Sequence, residues 1–120
     1  MKPDRASATA RVIAAATVMV ASESRGGDLA PRRASDWCRL LLSTTAADRV
    51  LCASAHWAPT RALWRVIERA TLPGIAEHYA HRKAWIEARC RAAIADGVER
   101  VIVVGAGFDT LALRLADEFP

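Results

Sequence analysis

Apolar residues recur along this chain at helical intervals until Gly97, and beyond it the period changes. An alanine-rich stretch over residues 8–22, opened by Ser7 or Thr9 as a cap, predicts a first helix. Ser24-Arg25-Gly26-Gly27-Asp28 and Pro31 break the pattern and predict a surface loop. Ser35 or Asp36 is placed to cap a short second helix through Trp37, Leu40, Leu41 and Leu42. The stretch from Ser43 to Pro59 reads as mostly helical. Thr60 is placed to cap a third helix, with Leu63, Val66, Ile67 and Ala70 on one face, and Leu72-Pro73-Gly74 ends it.

A fourth helix is expected from Glu77 to Ala95, stopped by Gly97. Tyr79, Ile86, Cys90, Ala93 and Ile94 mark its apolar face. Lys83, Glu87 and Arg91 follow at four-residue intervals on the other side, a pattern expected of a solvated face with paired charges. Arg82 lies three residues after Tyr79 and four before Ile86, so it is expected to project from the apolar face. An arginine there must snorkel outward along its stem or meet an anion.

After Gly97 the helical period gives way to Val101-Ile102-Val103-Val104, four β-branched residues in a row. Such a run reads as a strand covered on both faces, as inside a parallel sheet. It empties into Gly105-Ala106-Gly107, where missing side chains let the backbone approach a ligand, and a further helix is expected to start near Asp109. The fold class expected is therefore α/β. A helical segment, residues 1–96, leads into the first strand and helix of a Rossmann-like sheet, residues 97–120, which is incomplete within this length.

Composition sharpens the picture little. Hydrophobic residues at 52% and charged residues at 25% are globular values, which argue against wholesale disorder. The net charge of +4 comes from scattered arginines; only Pro31-Arg32-Arg33 and His81-Arg82-Lys83 cluster, too briefly for a nucleic-acid-binding surface. Cys38, Cys52 and Cys90 are odd in number and form no CxxC, which favours reduced thiols in a cytoplasmic protein. Cys52 with His56, and His78 with His81, are pairs without further ligands, so no metal is expected. Val12 to Ala21, preceded by Lys2, Arg5 and Arg11, also matches a signal peptide. However, Asp4 interrupts the basic region and the apolar run is too short to span a bilayer.

The glycine corner points to a nucleotide-like cofactor. A dinucleotide fingerprint carries a third glycine where this chain has Thr110, and no Gly-Lys-Ser/Thr triplet offers a phosphate loop. A shortened Gly-x-Gly with an acidic residue just beyond suits S-adenosylmethionine, which has no pyrophosphate to cradle.

Gly105-Ala106-Gly107-Phe108-Asp109-Thr110 followed by Arg114-Leu115 resembles the first motif of the leucine carboxyl methyltransferase-like family, which includes polyketide O-methyltransferases. Arg82-Lys83-Ala84-Trp85-Ile86-Glu87 resembles the family's helix ahead of that strand. The turn at Leu72-Pro73-Gly74 and the opening Ser7-Ala8-Thr9-Ala10 are similar too. The resemblance implies S-adenosylmethionine-dependent methyl transfer to a carboxylate or hydroxyl. It implies that Gly105, Ala106 and Gly107 approach the cofactor's methionyl part and that Arg82 pairs with its carboxylate, with Lys83 the lesser choice. Asp109 would receive its ammonium or cap the next helix. The acidic residue that holds the ribose in such enzymes would fall beyond Pro120, so the chain reads as an amino-terminal, cofactor-binding portion, inactive alone.

A small-molecule or carboxylate-bearing acceptor is the partner this implies, with neither nucleic acid nor membrane. Unpaired strand edges would permit self-association. Two other functions fit the same residues: a non-catalytic assembly module, and part of a nicotinamide-dependent oxidoreductase, against which Thr110 speaks.

Overall fold

A computed structural model of the protein describes residues 7–23, 29–31 and 33–119. The loop expected at residues 24–28 lies outside them. Six helices follow in order: α1 (Ala8–Ala21), α2 (Ala34–Leu41), α3 (Ala46–His56), α4 (Ala58–Thr71), α5 (Ile75–Ala95) and α6 (Leu111–Glu118).

The first of these, α1, is the central element and packs against α2, α3 and α5. Ser7 caps it: the hydroxyl accepts the Ala10 N–H at 3.1 Å from extended backbone. Ala14, Ala15, Val18, Met19 and Val20 are all buried. Alanine at two of these positions lets neighbouring helices come close, and Cys38, Leu42, Ala55, Ala76 and Ala80 close over them. Among the described residues no helix is long and apolar enough to cross a membrane.

The start of α2 falls at Ala34, ahead of both expected caps, after a left-handed Arg33 at φ 60°. A hydroxyl cap opens α3: Thr45 accepts the Asp48 N–H at 3.1 Å. Asp48 in turn is hydrogen-bonded by Thr45 and Thr44 and paired with Arg11, tying α3 to α1. The hydroxyl of Thr45, then the Arg11 guanidinium and Thr44, hold the Asp48 carboxyl below its ordinary value against the pull of burial.

Sequence periodicity misplaced the inner face of α4. The helix begins at Ala58, so Thr60 lies in its first turn, where its hydroxyl donates to the Ser54 and Trp57 carbonyls. Leu63, Val66 and Ile67 are more than half exposed. Glu68 is buried instead, because its carboxylate accepts the Ala76 N–H at 2.9 Å and so serves the open start of α5. Arg65 holds the same carboxylate at 2.7 Å.

The helix α5 is likewise turned. Its buried residues are Ala76, Ala80, Lys83 and Glu87, while Arg82 is exposed. The supposed solvent face is the packed one, because α1 accepts small side chains there and the charges beyond them find partners inside. Glu87 is paired with Arg91 and with Arg114 of α6.

The expected α/β architecture is not observed: among the described residues there is no strand, and the fold is helical throughout. Val101 to Val103 carry no regular structure, and Val104 enters a turn. From Glu99 to Phe108 no backbone N–H donates to another backbone group among the described residues. A strand exists only through its ladder, and this segment pairs with no other among the described residues. Ile102 and Val104 are 83% and 91% exposed, the reverse of a buried central strand.

A candidate cofactor pocket at the glycine turn

Although the strand is missing, the turn it was expected to feed is formed. Gly105 and Gly107 both take left-handed backbone, at φ 66° and 54°. Gly107 also meets α1 closely. A Cβ there would stand 3.3 Å from the Ala10 side chain, whereas one at Gly105 would meet open space. The Asp109 N–H closes the bend onto the Ala106 carbonyl at 2.7 Å.

The turn, α1 and α5 enclose a pocket of about 330 Å³. Gly105, Ala106, Gly107 and Asp109 line it from the turn and Arg82 from α5, so the structure brings all five expected residues to one cavity. Their orientations differ from expectation. Arg82 stands exposed at the mouth rather than inside, while Lys83 beside it is 8% exposed and also lines the cavity. Asp109 has its Oδ1 engaged: it accepts the Leu111 N–H at 2.9 Å and so opens α6. The cap residue of α6 is Thr110, one position on, and Asp109 Oδ2 makes no hydrogen bond among the described residues.

Sequence reasoning missed the wall contributed by α1, where Ser7, Thr9, Ala10 and Ile13 face the turn. The opening Ser7-Ala8-Thr9-Ala10 carried the family resemblance but no role at the site, and the small Ala10 opposite Gly107 is the trace of the contact. The core side of the site is fixed by Phe108, which packs on the hydrophobic cluster. In the same cluster Cys38 is fully buried, and desolvation pushes its thiol above the ordinary value despite the nearby Lys83. That thiol is a core group and no nucleophile.

A second cavity of about 560 Å³ lies between α5 and α6, lined by Arg33, Glu87, Arg91, Arg114, Asp117 and Glu118 among others. Its charges are matched in ion pairs, Arg33 with Asp117 at 2.7 Å and Arg91 with Glu118 at 2.6 Å. It offers a ligand no uncompensated group.

A side-chain-free bend facing a basic helix across a small cavity is a candidate site for a small ligand. The family model for leucine carboxyl methyltransferase matches residues 11–119, and the chain belongs to that family. No curated protein and no solved structure matches it.

Proposed function

We propose that the glycine pocket binds S-adenosylmethionine and that the protein serves methyl transfer to an oxygen of a carboxylate or hydroxyl acceptor. The observation that carries this reading is the convergence, in one cavity of about 330 Å³, of two left-handed glycines, a carboxylate and a basic pair on α5. Family membership supports the same chemistry.

The residues fit such a ligand. Gly105 and Gly107 leave room for the methionyl chain against the backbone, and Asp109 Oδ2 is available to its ammonium. When bound, the cofactor supplies an electrophilic methyl on a sulfonium. The chain contributes alignment and dryness: α1 walls the cavity on one side, and Phe108 seals it toward the core. A carboxylate acceptor is ionised at neutral pH, so no general base is required of this pocket.

Titration calorimetry with S-adenosylhomocysteine, followed by competition with NADH, tests the reading. Saturable one-to-one binding that NADH does not displace is expected. Displacement by NADH, or no binding of S-adenosylhomocysteine, overturns it.

A further inference from the structure

Helix α4 is built inside out. Its charged side faces the protein: Glu68 is buried, and Arg65 is held by Glu23, Glu68 and Glu77. The side turned to solvent is Pro59, Ala62, Leu63, Val66, Ile67 and Ala70, all exposed and recurring at three- and four-residue intervals. Leu63, Val66 and Ile67 are 58%, 59% and 53% exposed, and Trp57 and Leu72 at the two ends are 64% and 61% exposed. Single exposed apolar residues are ordinary, but a continuous stripe along a helix marks a contact surface.

Two properties of the stripe define what it meets. The first is charge. The carboxylates of α3 and α4, Asp48 and Glu68, are both buried in ion pairs. Arg69 stands exposed beside the stripe with no carboxylate partner among the described residues, and the half-buried Arg61 donates to the His56 carbonyl at 2.9 Å. The helix thus offers cations and no anion. A second copy of this face would bring like charges together, whereas an anionic surface complements it.

The second property is a lack of directional groups. Thr60 donates to the Ser54 and Trp57 carbonyls, and Thr71 to the Ile67 carbonyl at 2.8 Å, so both hydroxyls are spent within the chain. Between its ends the stripe has no hydrogen-bonding group to fix the register of a protein partner. A lipid surface needs none, and an exposed tryptophan at the end of the stripe suits the bilayer interface.

We propose that the outer face of α4 docks the protein on an anionic membrane surface. The helix lies flat, with Leu63, Val66 and Ile67 at the boundary of headgroups and acyl chains and Arg69 among the headgroup phosphates. No described helix is long and apolar enough to cross a bilayer, and this mode requires no crossing. It departs from the expectation of no membrane partner because the structure turns outward the residues that periodicity assigned to an inner face.

Co-sedimentation tests this, with vesicles of phosphatidylcholine alone against phosphatidylcholine mixed with phosphatidylglycerol. Partitioning about tenfold stronger into the anionic vesicles is expected, weakening as salt is raised. Val66→Glu, at an exposed position, is expected to reduce it more than about tenfold, and Arg69→Gln about fivefold. Ile102→Glu, which interrupts the other exposed apolar run, is expected to leave it unchanged. Failure to sediment with anionic vesicles, or equal partitioning into both kinds, overturns the proposal. So does binding that Val66→Glu leaves intact, or that Ile102→Glu also abolishes. A dimer in sedimentation velocity that Val66→Glu dissolves assigns the face to a second copy and likewise overturns it. The wild-type comparison and Arg69→Gln keep the proposal falsifiable should Val66→Glu fail to fold.

Discussion

Arg114 of α6 donates to Glu87 of α5 from both Nε, at 3.2 Å, and Nη2, with both side chains less than 6% exposed. The same guanidinium holds the Thr110 hydroxyl, so one side chain fixes α5, the start of α6 and the end of the glycine turn together. Removing Glu87 strands the Arg114 guanidinium in the interior, whereas Glu87 without Arg114 keeps Arg91. Glu87→Met is expected to cost about 3–5 kcal/mol in urea unfolding, and Arg114→Met combined with Glu87→Met distinctly less. Equal losses in the single and double variants would show that the pair does not matter.

The two glycines of the turn are expected to differ. Alanine at either position meets left-handed backbone, at a cost of about 1–2 kcal/mol. At Gly107 the new Cβ also presses on Ala10. Thermal melts should therefore rank Gly107→Ala below Gly105→Ala. The reverse order would mean that α1 does not wall the pocket.

Acid should weaken the junction of α1 and α3. The Asp48 carboxyl titrates below its ordinary 3.8 because Thr45, Arg11 and Thr44 favour its ionised form. With the folded value below the unfolded one, its stabilisation is complete above about pH 4 and is lost as pH falls through the folded value. Asp48→Asn should lower stability at neutral pH and flatten that part of the acid profile. An unchanged profile would remove Asp48 from this role.

The cysteines should separate by access. Cys38 is fully buried with its thiol pushed upward by desolvation, while Cys52 and Cys90 are half-buried. Iodoacetamide followed by mass spectrometry should modify Cys52 and Cys90 in the native protein and Cys38 only after unfolding. Early alkylation of Cys38 would contradict the packing of α2 on α1.

The apolar run of residues 101–104 leaves its backbone donors without backbone partners among the described residues and exposes Ile102 and Val104, so self-association through it is a prediction to test. Sedimentation velocity is expected to show association that grows with concentration and is suppressed by Val104→Lys. A monomer at all concentrations would dismiss it.

What the sequence revealed divides along physical lines. Local signals were legible: the Ser7 cap, the stop at Leu72-Pro73-Gly74, and the left-handed turn at Gly105 and Gly107 all depend on a few neighbouring residues. Faces were not. In α5 the apolar count favoured the Tyr79 and Ile86 side, but partners distant in sequence, Thr17 and Arg114, admitted Lys83 and Glu87 to the interior. In α4, Glu68 moved inward to serve the Ala76 N–H and left Leu63, Val66 and Ile67 outside. The strand misled for a related reason: β-branched residues show that a segment fits a sheet, and only pairing makes one. The five expected site residues nonetheless line one pocket, because the turn and α5 are joined through Arg114 and Glu87.

The most direct test of the pocket is an amide ¹H–¹⁵N correlation spectrum of the protein titrated with S-adenosylhomocysteine. Saturable shifts confined to Ala10, Lys83, Gly105, Gly107 and their neighbours are expected. Shifts centred on the cavity between α5 and α6, with the glycine turn unmoved, would contradict the account.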